Sequence, residues 1–397
     1  MPDSPLVNLP HEWLTSMPLE RLALKLQGHP DGAWMVQQVE GWRTLSQKVP
    51  LWAQTEGIEY PPRLSLEQCS SQQAAQYKAR VVERIASTER HALADLTGGL
   101  GIDFSFMAPL FETAHYVERN ERLCQLARHN FGCLALRNAQ VWHNEARTFL
   151  EQTASNFDLI FLDPARRNSA GQKTVRIEDC EPNVNELWPL LQSRTRHVIL
   201  KLSPMLDVSQ ALAALPAVIE VHALALRGEC KELLLVADTQ CNVPSPADIA
   251  FHAVGDNHDF AFSLAEERDA TALYADNVDR FLFEPHAAVM KLAPFNLLSK
   301  RFDLKKLHPN SHLYTAPTDC PDFPGRRFIV ENSHGFSKAQ LRQWQGRQAN
   351  LAVRNFPETV ATLRKKLKLR EGGNHYAFAT ILANGQHVII DTLKVDN

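Results

Sequence analysis

No pair of cysteines in this sequence stands at CxxC spacing. The seven cysteines, Cys69, Cys124, Cys133, Cys180, Cys230, Cys241 and Cys320, are scattered, with no histidine at zinc-ligand spacing beside them. That absence excludes zinc ribbons and thioredoxin-like redox motifs, and the expectation is a reduced, metal-free protein whose thiols are small buried hydrophobes. No run of eighteen apolar residues occurs, which excludes a hydrophobic membrane-spanning helix. The opening MPDSPLVNLPHEW has neither a basic start nor an apolar core, so no signal peptide and a cytoplasmic location are expected. Internal repeats and low-complexity tracts are also missing. Neither sign of charge dominates, with 42 Lys and Arg against 45 Asp and Glu and a formal charge of -3.

What is present is uneven. From Phe281 onward the chain holds 17 Lys and Arg against 9 Asp and Glu, so a basic last third follows an acidic body. Such an asymmetry suits an anionic partner, although a charge excess also arises on any solvated face. At 397 residues and 44% hydrophobic content, the chain exceeds one core and implies two or more domains.

Residues 1–65 are rich in Trp, Pro and Leu. Helical patterns such as LERLALKLQG and WMVQQVEGWRTL are separated by Pro30-Asp31-Gly32 and closed by Pro61-Pro62, giving an N-terminal helical domain. SLEQCSSQQAAQYKARVVERIA continues with helical periodicity, Ser70 or Ser71 serving as N-cap. The period then changes, and the short apolar runs ALADL, TAHYVE, AQVWHN, FDLIFLD, HVILKL, VIEVHALAL and ELLLVAD alternate with amphipathic helices. This order predicts an α/β domain over 66–250 with a doubly wound, mostly parallel sheet. Only Arg227 to Lys231 link the last two runs, too short a segment to cross the sheet, so they form an antiparallel hairpin. Seven strands ending in such a hairpin resemble the Rossmann-like sheet of class I methyltransferases rather than an all-parallel dinucleotide sheet. Beyond the boundary-like CNVPSPAD, two C-terminal α+β modules are expected, over 260–325 and 326–397. The second reads FIVEN, a helix around SKAQLRQWQ, LAVRNF, a helix ETVATLRKKLKL, then YAFATIL and HVIIDTLKV flanking Asn384-Gly385.

The densest chemical signal is ADLTGGLGIDF, where a strand ends at Asp95 and enters a glycine-rich turn opening a helix. Gly98, Gly99 and Gly101 let a ligand approach the backbone, and amides at the helix start suit a carboxylate. A dinucleotide fingerprint requires a third glycine where Phe104 stands. An acid ahead of the glycines repels pyrophosphate but attracts an ammonium or sulfonium group, so Asp95 favours a methyl donor over NAD. The next strand ends at Glu118, whose two oxygens suit a pair of ribose hydroxyls, although strand-end acids also cap helices. The third ends in WHNEA, placing Glu145 to accept from an adenine amino group or to complement a helix dipole. The fourth delivers Asp163 to the same rim, Pro164 stiffening the turn and Arg166 and Arg167 ready to grip a phosphate. The fifth brings Lys201, which faces the substrate or pairs with Asp163. No cysteine stands at the fourth or fifth strand edge, which disfavours carbon methylation through a covalent adduct.

DLTGGLGIDF, VERN, FLDPARR, KLSP and RGECKEL, with EQCSSQQAAQYKA upstream, resemble class I S-adenosylmethionine-dependent methyltransferases that bear a C-terminal ferredoxin-like module and a THUMP-like domain. FEPHAAVMKLAPFNLLSKRFDLKKLHPNSHLYT resembles that module, and VRNFPETVATLRKKLKLREGGNHYAFATIL resembles the THUMP-like domain. The resemblance implies S-adenosyl-L-methionine as cofactor, held by Ser70, Asp95, Thr97, Gly98, Gly99, Gly101, Asp103, Glu118, Arg119, Glu145, Ala146 and Asp163. The implied catalytic group is Asp163 with Pro164, Arg166 and Lys201, and no metal is expected. THUMP domains are associated with RNA binding, so the implied partner is structured RNA, tRNA or rRNA, methylated at a nucleobase nitrogen. Arg354, Arg364, Lys365, Lys366, Lys368 and Arg370 form a basic cluster suited to phosphates, and lysines at a helix end also complement its dipole. The amino-methyltransferase signature, Asp or Asn followed by Pro-Pro and an aromatic, is absent, since Ala165 and Arg166 follow Pro164. A small-molecule or protein acceptor, and a silent RNA-binding protein retaining the fold, remain as alternatives.

Overall fold

The computed structural model describes residues 9–86, 90–165, 177–215, 217–241, 245–256 and 258–395. The chain forms two compact units, Met1–Val218 with Leu234–Val243 and Ile219–Leu233 with Pro244–Asn397. Among the described residues no helix is long and apolar enough to cross a membrane.

The first unit opens with helices α1 (His11–Thr15), α2 (Leu19–Lys25), α3 (Gly32–Lys48), α4 (Pro50–Gln54) and α5 (Arg63–Gln68), followed by α6 (Gln72–Ile85). Ser71, not Ser70, caps α6, its hydroxyl accepting from the Ala74 amide, which releases Ser70 for another partner. Then come β1 (Ala92–Asp95), α7 (Ile102–Met107), β2 (Thr113–Glu118), α8 (Glu121–Cys133), β3 (Ala139–His143), α9 (Ala146–Gln152), β4 (Phe157–Leu162), α10 (Val184–Arg194), β5 (Thr195–Leu202) and α11 (Val208–Ala214). β1 runs parallel to β2 and β4, β2 to β3, and β4 to β5. β4 is buried at five of its six residues, as the unbroken FDLIFL run demands of a strand covered on both faces.

β6 (Val218–Leu226) and β7 (Glu229–Asp238) are joined by Arg227 and Gly228, both with positive φ, the two-residue geometry that matches strand twist. β8 (Ala250–Val254) pairs parallel with β6, and β9 (Phe260–Ser263) pairs antiparallel with β8. The sheet order is therefore β3-β2-β1-β4-β5-β7-β6-β8-β9, nine strands rather than seven. The two additional strands are only five and four residues long and follow the proline-containing stretch that reads as a boundary.

The second unit continues with α12 (Leu264–Arg268), β10 (Leu273–Tyr274), β11 (Phe281–Pro285), α13 (Ala287–Leu292), α14 (Phe295–Arg301), β12 (Lys305–Lys306), β13 (Tyr314–Ala316), β14 (Gly325–Gly335), α15 (Lys338–Leu341), β15 (Asn350–Val353), α16 (Val360–Leu367), β16 (His375–Ile381) and β17 (His387–Lys394). β10 to β17 form an eight-stranded sheet in the order β10-β12-β13-β11-β14-β17-β16-β15. The long β14 ties its halves together, pairing with β11 on one side and β17 on the other. Alternation along these strands divides the core. Leu282, Phe328, Phe378 and Ile390 pack in one cluster, and Trp344, Leu363, Leu367 and Ile389 in another.

Candidate active site

Three parallel strand ends are tied into one rim by the glycine-rich turn. The Leu96 amide donates to Phe161 O (3.0 Å) and the Gly98 amide to Val117 O (2.9 Å), so the turn stays bonded to both neighbouring strands. Glu118, at the end of β2, accepts from the Gly99 amide (2.9 Å) through one oxygen and from Asn120 N (2.8 Å) through the other. Beyond β4, the Asp163 amide donates to Thr97 Oγ1 at 2.6 Å, and the Thr97 amide donates to Asp95 Oδ1 at 3.0 Å. Asp95, Thr97, Glu118 and Asp163 thus belong to one hydrogen-bonded frame.

The glycines also answer to the packing beneath the turn. A Cβ on Gly98 would lie 2.2 Å from the Tyr116 ring, and one on Gly101 would lie 2.8 Å from Phe131. Both rings are buried beneath the turn. Side-chain packing under the loop forbids side chains at 98 and 101. Gly99, with φ +56 and only Thr97 O within 4 Å at 3.7 Å, is glycine for its backbone conformation.

Charge is concentrated here. Asp95 is only 2% exposed, and burial pushes its carboxyl up to about 8. The Thr97 amide opposes that rise, while Asp103, Asp163 and Glu118 add to it. Asp103 on α7 is the opposite case. Burial would raise its carboxyl, but Lys78, Lys201 and the Ser70 hydroxyl outweigh burial and hold it below the usual carboxylate value. Ser70 Oγ donates to Asp103 Oδ2 at 2.7 Å, Lys78 Nζ lies 3.2 Å from Oδ1, and Lys201 Nζ lies 3.7 Å from Oδ2. Lys201 also reaches Asp163 Oδ2 at 2.6 Å, which decides its placement in favour of the carboxylate pair. Lys78 and Lys201 thus serve Asp103 and Asp163, and Asp95 is the most buried of the four acids on this rim.

The remaining expected residues divide. Pro164 is buried behind Asp163, and Ala165 bridges to Glu181 through paired backbone bonds. Arg119 extends to Glu181 Oε1 at 2.5 Å. Glu145 is the exposed N-cap residue of α9 and makes no side-chain cap bond, and Ala146 is the buried first residue of that helix. Arg166 and Arg167 lie outside the described residues. Lys78 was missed by sequence reasoning. Its signal is a lysine on the buried stripe of α6, alongside Ala74, Ala75, Val81 and Val82, where no unpaired cation is tolerated.

The basic cluster of the second unit is partly neutralised. Arg354 reaches Glu284 Oε1 (2.6 Å), Arg364 pairs with Glu371 (2.9 Å) and Lys366 with Glu358 (2.7 Å). Lys368 ends α16 in the left-handed conformation, and Lys365, Lys368 and Arg370 are exposed.

Residues 281–324 match the model of a ferredoxin-like domain, and residues 325–392 match that of a THUMP domain-like region. Over 96% of its length this chain is similar to a crystal structure of a candidate methyltransferase from Porphyromonas gingivalis W83, at 33% identity, 95% coverage of that chain and TM-score 0.85. More distant likenesses include a SAM-dependent methyltransferase from Agrobacterium tumefaciens, with 15% identity, 43% of this chain, 63% of that chain and TM-score 0.34. A candidate RNA methyltransferase from Pyrococcus horikoshii gives 13% identity, 49% of this chain, 97% of that chain and TM-score 0.36. No curated protein sequence matches the chain. With a full-length relative above 30% identity, the strand order β3-β2-β1-β4-β5-β7-β6 and both C-terminal matches in place, the chain belongs to the class I S-adenosylmethionine-dependent methyltransferase family that bears a ferredoxin-like module and a THUMP-like domain.

Proposed function

We propose that this protein is an S-adenosylmethionine-dependent methyltransferase acting on RNA, with a nucleobase nitrogen as acceptor. The observation that carries the reading is the rim of Asp95, Asp103, Glu118 and Asp163, four carboxylates served by Lys78 and Lys201 among the described residues, with Asp95 buried at a pKa of about 8. A buried carboxylate among other acids is costly until a cation joins it. A ligand carrying an ammonium and a sulfonium fits that deficit, whereas a pyrophosphate would add to the repulsion. When bound, S-adenosylmethionine supplies an electrophilic methyl group on a good leaving group.

The chain's own residues then have separable tasks. Asp95 attracts the cationic end of the ligand. Glu118 uses one lone pair of each oxygen on Gly99 and Asn120 and retains others for a ribose diol. Glu145, unengaged by the α9 cap, is available to an adenine amino group. Asp163, anchored by Thr97 through its amide and by Lys201 through its carboxylate, orients the acceptor nitrogen and accepts its proton. Lys201 fixes the position of the Asp163 carboxylate through their 2.6 Å contact.

RNA as substrate rests on the THUMP domain-like match and on exposed Lys365, Lys368 and Arg370. The pairing of Arg354, Arg364 and Lys366 with acids favours the second reading, a small-molecule or protein acceptor, because it removes three cations from the phosphate-binding set. The test is transfer of tritium from labelled cofactor to total RNA of a strain lacking this protein. Label recovered in digested nucleosides supports the proposal; label confined to protein or small molecules refutes the RNA acceptor.

A further inference from the structure

Glu220 and His222 stand two residues apart on β6, so their side chains share one face of the sheet. β8 runs parallel to β6 with His252 directly opposite His222. The two imidazoles stack with centroids 4.5 Å apart and planes within 10°. Glu220 Oε2 lies 3.0 Å from His222 Nε2, and the side chains of Glu220 and His222 are only 12% and 1% exposed. One carboxylate oxygen and one nitrogen from each ring all fall within 4.8 Å of one another.

We propose that Glu220, His222 and His252 form a divalent-metal site of zinc type in the second unit. Bonds of about 2.0–2.1 Å in a tetrahedron place ligand atoms about 3.3 Å apart. The Glu220–His222 pair, at 3.0 Å, already stands near that spacing, and all three donors lie within 4.8 Å of one another. Two imidazoles and one carboxylate are a borderline donor set suited to Zn2+ or Co2+, with water completing the fourth position. Another grouping of this kind among the described residues, Glu331, His375 and Asp391, contains the Arg347 guanidinium, whose Nη2 sits 2.6 Å from Asp391 and 3.4 Å from His375. Local spacing rules pass over the first site, and give a metal-free expectation, because its third ligand arrives thirty residues later through strand register.

The full chain, stripped with EDTA and dialysed, is titrated with Zn2+ against a chromophoric competitor, and its unfolding midpoint is recorded with and without metal. About one equivalent should bind with at least tenfold higher affinity than in Glu220→Gln and in His252→Ala, and the midpoint should rise with Zn2+ only in the unaltered protein. Glu220→Gln preserves shape, so its metal-free midpoint checks folding separately. Weak binding of equal strength in all three proteins, as surface histidines among the sixteen in the chain would give, overturns the proposal. So does a midpoint that Zn2+ leaves unchanged.

Discussion

Replacing Asp95 by Asn removes a charge and keeps the acceptor that the Thr97 amide uses. In the ligand-free protein the Asp95 carboxyl titrates near 8, so at neutral pH it is largely protonated. A cation at a contact distance of about 4 Å, in an effective dielectric near 20, attracts the carboxylate by about 4 kcal/mol. That energy is equivalent to about three pH units, so binding lowers the Asp95 pKa from about 8 to about 5 and releases a proton. Apparent affinity for S-adenosylmethionine should then rise on the order of 50-fold between pH 6 and pH 8. The Asn variant should bind with almost no pH dependence, weaker than the unaltered protein by about 500-fold at pH 8 but only about tenfold at pH 6. Titration calorimetry in buffers of different ionisation enthalpy measures both the affinity and the proton released. An affinity gap that stays constant from pH 6 to 8, or heats independent of buffer, would refute the reasoning.

Other outcomes follow from the same geometry. Because the folded-state pKa of Asp95 lies above its unfolded value, ligand-free protein loses stability as pH rises from about 4 through 8. The stability difference between Asp95→Asn and the unaltered protein should therefore grow by about 1.4 kcal/mol per pH unit over that range in denaturant melts. Gly98→Ala drives a Cβ into the buried Tyr116 ring and should cost roughly 1–3 kcal/mol or more; Gly99→Ala should cost about 1 kcal/mol from backbone strain alone. Lys78→Met removes the nearer of two lysines from Asp103 and should destabilise by about 3–5 kcal/mol, measured by urea unfolding. If RNA is the partner, changing Lys365, Lys368 and Arg370 together to Gln should flatten the salt slope of filter binding by about 2–3. Arg354→Gln, whose guanidinium already serves Glu284, should change that slope less.

Much of this was legible in the sequence because β1 to β7 are short apolar runs that alternate with amphipathic helices and carry chemistry at their ends. A strand covered on both faces has little freedom in its composition, and acids at successive carboxyl ends must meet where the sheet is parallel. What stayed hidden depended on contacts between distant segments. Gly98 and Gly101 read as room for a ligand because the Tyr116 and Phe131 rings beneath them come from β2 and α8. Lys78 carried no sequence signal of its partners, because Asp103 and Ser70 reach it only in the folded chain. β8 and β9 are too short to show alternation against a proline-rich background. The basic tail read as free charge because Glu284 is seventy residues from Arg354 in sequence.

The proposed role of the carboxylate rim at β1, β2 and β4 is to bind a cationic sulfur nucleoside. Equilibrium dialysis of the full chain against labelled S-adenosylmethionine and, separately, labelled NAD tests it most directly. The account predicts saturable binding of the first at one site, lost in Glu118→Ala and Asp95→Asn at pH 8, and none of the second. Binding of NAD, or retention of S-adenosylmethionine by both variants at unchanged affinity, would contradict it.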